Sequence, residues 1–338
     1  MDKNVYSKAT EERMDHSLED RADISVPIIV DEAQVRAALP ALDVRGALER
    51  MFGALGRGEA VQPPQTLTLF PRDAGDFITY LGVLASEQVF GAKLSPYIAT
   101  AGAPVITAWT ALMSMRTGRP LMWCDAALLT TERTAGTTAL AVDLLAKQDS
   151  SRLAIIGSGA VALAHLRHVA PLRKWRDIRI HSPGLDNDAV RQAHIRAMDP
   201  RIVIAQTSAE CLRDADVVML CTSSGTPVIS LDHLTKPALI TSISTNVARA
   251  HEIDPSALPT LDVYCDYRHT TPPSAGEMVI AAERGWSPEA ILGDLAELVN
   301  RTCAVPSYGR HAFFRSIGLG LEDVALAHAL YMHLRAAA

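Results

Sequence analysis

Hydrophobic positions change their period along this chain, and the changes divide it. Residues 24–30 form a β-rich opening, and Asp31-Glu-Ala-Gln starts a helix with an acidic first turn. A second amphipathic helix over residues 43–55 stops at Gly56-Arg-Gly58. From 62 to 107 the text turns to short β-prone runs, at 66–70, 77–83, 93–99 and 104–108, each closed by Gly, Pro or Asp. Runs at 111–116 and 120–125 flank Thr117-Gly118-Arg119, so an antiparallel sheet preceded by two helices is predicted. Residues 130–146 read as a strong helix with Thr131 as its N-cap. Buried-strand runs then recur at 153–156, 178–181, 202–205, 217–221, 239–243 and 263–266, separated by helical or loop connections, the pattern of a doubly wound sheet. After Pro306 an Ala/Leu helix closes the chain, and we expect it to pack back on the first sheet.

The stretch Leu153-Ala-Ile-Ile-Gly157-Ser-Gly159-Ala-Val-Ala162 organises the rest. A clean strand, glycines at 157 and 159, a small residue at 162 and a helix make the setting of a dinucleotide fingerprint. The first glycine permits the turn, the second lets the backbone approach a pyrophosphate, and the helix N-terminus offers free N–H groups. The second strand of such a unit ends in a carboxylate when the ribose 2′-hydroxyl is to be bound. Here it ends Ile180-His181-Ser182-Pro183, and Ser182 with Arg191 suits a 2′-phosphate, so NADP(H) is favoured over NAD(H). The alternative is that Asp186 or Asp188 curls back to the ribose.

Composition narrows the class. The 338 residues are 48% hydrophobic and 21% charged with net charge −6, which argues against a polyanion partner. Five cysteines without a CxxC pair read as reduced thiols of a cytoplasmic protein. No apolar run approaches a membrane span, and the charge-dense residues 1–22 read as a mobile arm. No third ligand joins His165 and His168 at metal-site spacing, so no metal is expected and His165 reads as packing. Lys93, between apolar strand stretches, and Arg133, near a helix start where a cation opposes the dipole, are the open questions.

Thr130-Thr-Glu-Arg133-Thr-Ala-Gly-Thr-Thr-Ala139, Gly91-Ala-Lys93, the 157–162 fingerprint and Arg315-Ser-Ile-Gly318-Leu-Gly-Leu-Glu322-Asp323 together resemble the ornithine cyclodeaminase/μ-crystallin family, in its order, from about residue 26 to 334. The resemblance implies homodimeric NAD(P)-dependent enzymes acting at the α-carbon of amino acids or on cyclic imines. It implies an α/β fold, a Rossmann-type doubly wound sheet plus a discontinuous α+β substrate and dimerisation domain. The division expected is 23–129 with 310–338 for that domain and 130–309 for the NAD(P)-binding domain.

By the same resemblance Lys93 and Arg133 hold the substrate carboxylate, fixing Cα–H against the nicotinamide. Cofactor contacts fall to Gly157, Ser158, Gly159, Ala160, Val161, Ala162, Ser182, Arg191, Thr222, Ser223, Ser244, Asn246, Arg315, Ser316 and Gly318. Two departures bear on the chemistry. Asn246 stands where cyclodeaminases carry an Asp, and an amide orients a nucleophile without taking its proton. Gln65 stands near the place of a further carboxylate-binding Arg. Gln62-Pro-Pro-Gln-Thr-Leu, Gly75-Asp76-Phe77 and Lys93-Leu-Ser-Pro96-Tyr97 most resemble the L-arginine dehydrogenase branch. A guanidinium, with a pKa above roughly 12, is a poor nucleophile for ring closure. Asp76, Glu277, Asp266 and Asp262 are candidate acceptors for it. The rival readings are a Δ1-pyrroline-2-carboxylate (ketimine) reductase, an ornithine or lysine cyclodeaminase, and a non-catalytic small-molecule binding protein.

Overall fold

The computed structural model describes residues 26–245 and 248–337, so the expected N-terminal arm at 1–22 and the Asn246 position lie outside the described residues. Two sheets organise the chain. The first is built from β1 (Ile28–Val30), β2 (Ala60–Val61), β3 (Thr66–Leu69), β4 (Gly75–Leu84), β5 (Val89–Ile98), β6 (Val105–Ile106), β7 (Trp109–Ser114) and β8 (Pro120–Asp125). Its order is β1-β8-β7-β5-β4-β2, with β3 on β4 and β6 on β5. All its pairings are antiparallel except β1 with β8. Burial alternates along β7, as a sheet with one covered face requires. Helices α1 (Glu32–Ala38) and α2 (Val44–Gly56) follow β1 and precede strands β2–β8.

The second sheet is parallel throughout, in the order β11-β10-β9-β12-β13-β16-β14-β15. Its strands are β9 (Arg152–Ile156), β10 (Asp177–His181), β11 (Ile202–Ile204), β12 (Val217–Leu220), β13 (Leu239–Ser242), β14 (Asp262–Cys265), β15 (Gly293–Asp294) and β16 (Ala312–Arg315). Val217–Leu220, Asp262–Cys265 and Ala312–Arg315 are buried at every position. Both faces are covered, hence the unbroken apolar runs in the sequence. The fold is α/β, a Rossmann-type doubly wound sheet joined to an α+β unit.

Two expectations are corrected. The helix α3 (Ala127–Leu145) starts before Thr131. Asp125 accepts the Ala127 N–H at 2.9 Å, and the Thr131 hydroxyl donates back to the Ala127 carbonyl, so Thr131 is no cap. Arg133 therefore lies in the second turn, clear of the free N–H groups whose dipole made its charge look costly. Residues 310–338 also do not all return to the first sheet. Ala312–Arg315 pairs between β13 and β14, so only the helix α9 (Gly320–Ala337) lies against the first unit. There the backbones nearly touch: a Cβ at Gly320 would stand 2.4 Å from the Leu81 carbonyl oxygen, and one at Gly82 2.7 Å from Leu321 Cα. That approach carries the first turn of α9 to the inner face of β4 and β5.

Among the described residues no helix is long and apolar enough to cross a membrane, and all five cysteines are free. The outer face of the first sheet carries exposed Ile29, Leu81, Val105 and Trp123.

Candidate active site

A cleft of about 850 Å³ opens between the inner face of the first sheet and the C-terminal ends of the parallel strands. In the parallel sheet β9 lies between β10 and β12, where the strand order reverses, the usual crevice for a ligand in such folds.

At one end the working atoms belong to the main chain. The strand β9 turns at Gly157, whose φ of +120° suits glycine, and a Cβ there would meet the Cys221 carbonyl oxygen at 2.4 Å. Helix α4 (Ala160–Val169) begins at Gly159 with no side-chain cap, and a Cβ on Gly159 would meet nothing within 4 Å. The buried Ser158 hydroxyl lacks a hydrogen-bond partner. Uncapped N–H groups, open space above a glycine and a free hydroxyl fit a pyrophosphate. Ser182 and Arg191 line the cleft beyond β10, and Arg191 Nη2 donates to the Ser158 carbonyl at 2.9 Å. Arg191 rides on α5 (Ala189–Arg196).

Opposite, Thr222, Ser223 and Ser244 line the cleft from the loops after β12 and β13. Glu252, wholly buried, ties those loops together: it accepts from Thr222 N (2.8 Å), Ser242 Oγ (2.8 Å), Ile243 N (3.0 Å) and Ser244 N (3.1 Å).

The far end is made of side chains. Lys93 on β5 and Arg133 on α3 are both buried and both line the cleft. Lys93 Nζ lies 2.9 Å from Asp323 Oδ2 and 4.2 Å from the centre of the Tyr80 ring. Arg133 places Nε 3.2 Å from Asp323 Oδ1 and Nη1 3.2 Å from Glu322 Oε2. Burial pushes the Lys93 ammonium down to about 8, against the pull of Asp323. The two carboxylates hold the Arg133 guanidinium above its ordinary value despite its burial. Burial also raises the Tyr80 phenol. The quoted run ending in Glu322-Asp323 carried no role for these two acids. Their signal was a carboxylate pair in the first turn of an otherwise apolar Ala/Leu helix.

The segment after β16 closes the site. Gly318 has φ +78°, and a Cβ on it would fall 2.1 Å from Arg133 Nη1, so the guanidinium lies where any side chain would stand. Asp266 pins this turn, accepting from Ser316 Oγ (3.0 Å), Ile317 N (2.7 Å) and Gly318 N (3.1 Å). Ser316 and Gly318 line the cleft, whereas Arg315 is buried behind it. Arg315 Nε stands 2.8 Å from Glu277 Oε1, and its Nη2 donates to the Ser244 carbonyl.

Several candidates thus fall elsewhere. Glu277 faces Arg315 rather than the cleft, Asp266 serves the 316–318 turn, and Asp262 pairs with Arg310. Asp76 sits in β4 opposite Tyr97, outside the cleft lining. Gln65 borders a small adjoining cavity of about 60 Å³ that shares Gly318 with the cleft, and its Oε1 is buried without a partner. His165 packs: Nδ1 donates to the Val161 carbonyl (2.7 Å) and Nε2 accepts from the Thr138 hydroxyl (3.0 Å). Among the described residues no group of three His, Cys, Asp or Glu could hold a metal.

Comparison with known proteins agrees with this architecture. The profile of the ornithine cyclodeaminase/mu-crystallin family matches residues 26–337, and the chain belongs to that family. It is 58% identical over 308 residues, 91% of this chain and 97% of the relative, to an NAD(P)H-dependent anabolic L-arginine dehydrogenase from Pseudomonas aeruginosa. The crystal structure of a probable ornithine cyclodeaminase from Bordetella pertussis superposes with a TM-score of 0.83 at 28% identity, covering 92% of this chain and 98% of that one. A Thermococcus litoralis Δ1-pyrroline-2-carboxylate reductase, solved with NADH and L-proline, shares the fold with a TM-score of 0.83 at 21% identity, over 92% and 98% of the two chains.

Proposed function

We propose, with membership of this family as the premise, that the chain is an NAD(P)(H)-dependent amino-acid dehydrogenase acting on L-arginine. It interconverts arginine with 2-oxo-5-guanidinopentanoate and ammonia. The 58% identity to the Pseudomonas dehydrogenase across nearly the whole chain carries this reading. The pairing of a dinucleotide cradle with two buried cations at the opposite end of one cleft supports it.

Oxidation takes a hydride from Cα and a proton from the α-nitrogen. Water then adds to the resulting 2-imino acid and ammonia leaves; reductive amination runs these steps in reverse. When bound, the nicotinamide supplies the two-electron acceptor or donor. The chain's own residues position the substrate. Residues 157–162 hold the pyrophosphate, Thr222, Ser223 and Ser244 flank the nicotinamide half, and Ser316 and Gly318 close over it. Lys93 and Arg133 grip the carboxylate from two directions, which fixes the orientation of Cα. Tyr80, kept protonated by burial, walls the α-carbon site. We assign Asn246 to positioning the amine or attacking water, and Gln65, with its unpartnered oxygen, to the substrate side chain.

Ser182 and Arg191 at a strand end without a carboxylate favour NADP(H) over NAD(H). The exposed apolar face of the first sheet supports a homodimer formed through it, since so extended a patch is unfavourable in water. Free thiols suit a cytoplasmic setting. The division into a substrate and dimerisation unit at 23–129 with 320–338, around a nucleotide unit at 130–319, is proposed on the path of β16.

Absorbance of the reduced cofactor, followed with purified protein and either oxidised cofactor, tests the reading. Arginine should be oxidised and alanine, proline, lysine and ornithine far less. Reduction of pyrroline-2-carboxylate without arginine oxidation would make it a ketimine reductase. Proline and ammonia from ornithine, without net reduced cofactor, would make it a cyclodeaminase. Binding without any turnover would leave a carrier.

A further inference from the structure

The two cations at the carboxylate end are balanced whenever both neighbouring acids are ionised. Ionised, Lys93 and Arg133 bring two positive charges and Asp323 and Glu322 two negative ones; Asp323 pairs with both cations, Glu322 with Arg133, and all four are buried. A carboxylate added to this ionised cluster leaves it with one uncompensated negative charge among buried side chains, which is unfavourable. The 2-oxo acid brings such a charge, as does an amino acid whose α-amine has given up its proton for oxidation. Where both acids are ionised in the free site, one group of the cluster has therefore to become more positive when substrate arrives.

Glu322 is the group placed to do so. Asp323 touches both cations, whereas Glu322 touches Arg133 alone, through Oε2. Its other oxygen, Oε1, is buried and makes no hydrogen bond of good geometry, with the Thr137 hydroxyl as the neutral donor beside the carboxyl; so thin a solvation favours the carboxylic acid, which carries its own donor. The groups facing it from the packed elements are Arg133 and the Thr137 hydroxyl of α3, Asp323 beside it on α9, and Asp266 after β14; Lys93 of β5 and Tyr80 of β4 complete the cluster. Two of these are further acids, so a proton is drawn to this position. Burial pushes the Glu322 carboxyl up to about 8 against the pull of Arg133, and Asp266 and Asp323 add to the rise.

We propose that the anion-receptive state of this site is the one in which Glu322 is protonated, so that a carboxylate reaching Lys93 and Arg133 draws a proton onto Glu322 whenever the free site lacks it. Glu322 is thus a positioning residue that acts through Arg133: once neutral, it releases part of the guanidinium's charge to the substrate. This rests on the assignment of Lys93 and Arg133 to the substrate carboxylate. No bond to carbon changes; one proton moves from solvent to Glu322 on binding and returns on release.

The test uses the full chain saturated with oxidised cofactor and 5-guanidinopentanoate, a carboxylate without an α-amine that cannot be oxidised. Calorimetric titration in buffers of different ionisation enthalpy counts the protons taken up from pH 6 to pH 10. Uptake should rise from near zero to about one per site around pH 9, and an infrared difference spectrum there should gain a protonated-carboxyl band. The corresponding carboxamide should bind without uptake, and Glu322→Gln should bind the carboxylate with no uptake. Uptake that persists in Glu322→Gln, or arises without a carboxyl band in the unaltered protein, assigns the proton to Lys93 and overturns the proposal. Binding of the carboxylate with no uptake at any pH overturns it while leaving the proposed function intact. Failure of the carboxylate to bind overturns both.

Discussion

At one end of the cleft the working atoms are main-chain N–H groups from a few consecutive residues around Gly157 and Gly159. At the other they are side-chain atoms of Lys93, Arg133, Glu322 and Asp323, and the contact from Lys93 to Asp323 spans 230 positions of sequence. The first end is shaped by what is absent: no side-chain cap on α4 and no Cβ where the cofactor would lie. The second is shaped by mutual dependence, each charge being tolerable only because the others are present. A glycine turn survives loss of distant contacts, whereas a buried ion cluster fails as a unit.

The largest effect should come from breaking that unit. Arg133→Leu leaves Glu322 and Asp323 buried with one cation between them, so urea unfolding should show a loss of about 3–5 kcal/mol. Cofactor affinity of the remaining folded protein should change little. Next comes the seam joining the two ends, where His165 ties α4 to α3. Burial lowers its pKa from 6.5 to about 4, so the unfolded chain binds more protons between those values. Stability from this residue is complete above the unfolded value and is lost as pH falls through the window, by up to about 3 kcal/mol. Melting temperature against pH should show that acid slope, and His165→Gln should flatten it.

A pair of glycine substitutions sharpens the comparison. Gly157→Ala and Gly318→Ala each put a Cβ into a positive-φ site with a contact closer than 2.5 Å, at a cost of about 1–3 kcal/mol. Gly157→Ala should weaken cofactor binding about tenfold or more, seen by fluorescence titration of the reduced cofactor. Gly318→Ala should instead raise the KM for the amino acid by displacing the Arg133 guanidinium. Equal effects of both on both ligands would mean that the ends are not separable. The smallest change is expected from Arg191→Ala, which should shift the NADP(H)-to-NAD(H) ratio of kcat/KM toward NAD(H) by about tenfold, the scale of a charge-assisted hydrogen bond.

Legibility in the sequence follows the same division. Strand, glycine turn and helix at 152–169 are consecutive, so the fingerprint is fixed by backbone preferences acting over a few residues. The β meander and the strands at 153–156, 178–181, 217–221 and 239–243 were legible through burial periodicity. The strand Ala312–Arg315 was not, because it is short, ends in arginine, and takes its place in the sheet only through β13 and β14. The start of α3 was misplaced because its first N–H is satisfied by Asp125 at the end of a strand, not by a residue typical of a helix cap. Asp76, Asp262, Asp266 and Glu277 looked equivalent as acids. Only packing distinguishes a surface strand position from a turn anchor or the partner of a buried arginine.

The sequence by itself determined the doubly wound sheet, the turn that would receive a dinucleotide, and, through its likeness to the family, the importance of Lys93 and Arg133. Those features rest on local conformation or on residue identity at a motif. The tertiary structure decided how the two cations are held. Glycines at 82 and 320 let α9 press against β4, and that contact brings Glu322 and Asp323 under Lys93 and Arg133. Coulomb attraction in a buried site depends on distances of a few ångströms between elements remote in the chain, and those distances exist only once the elements have packed.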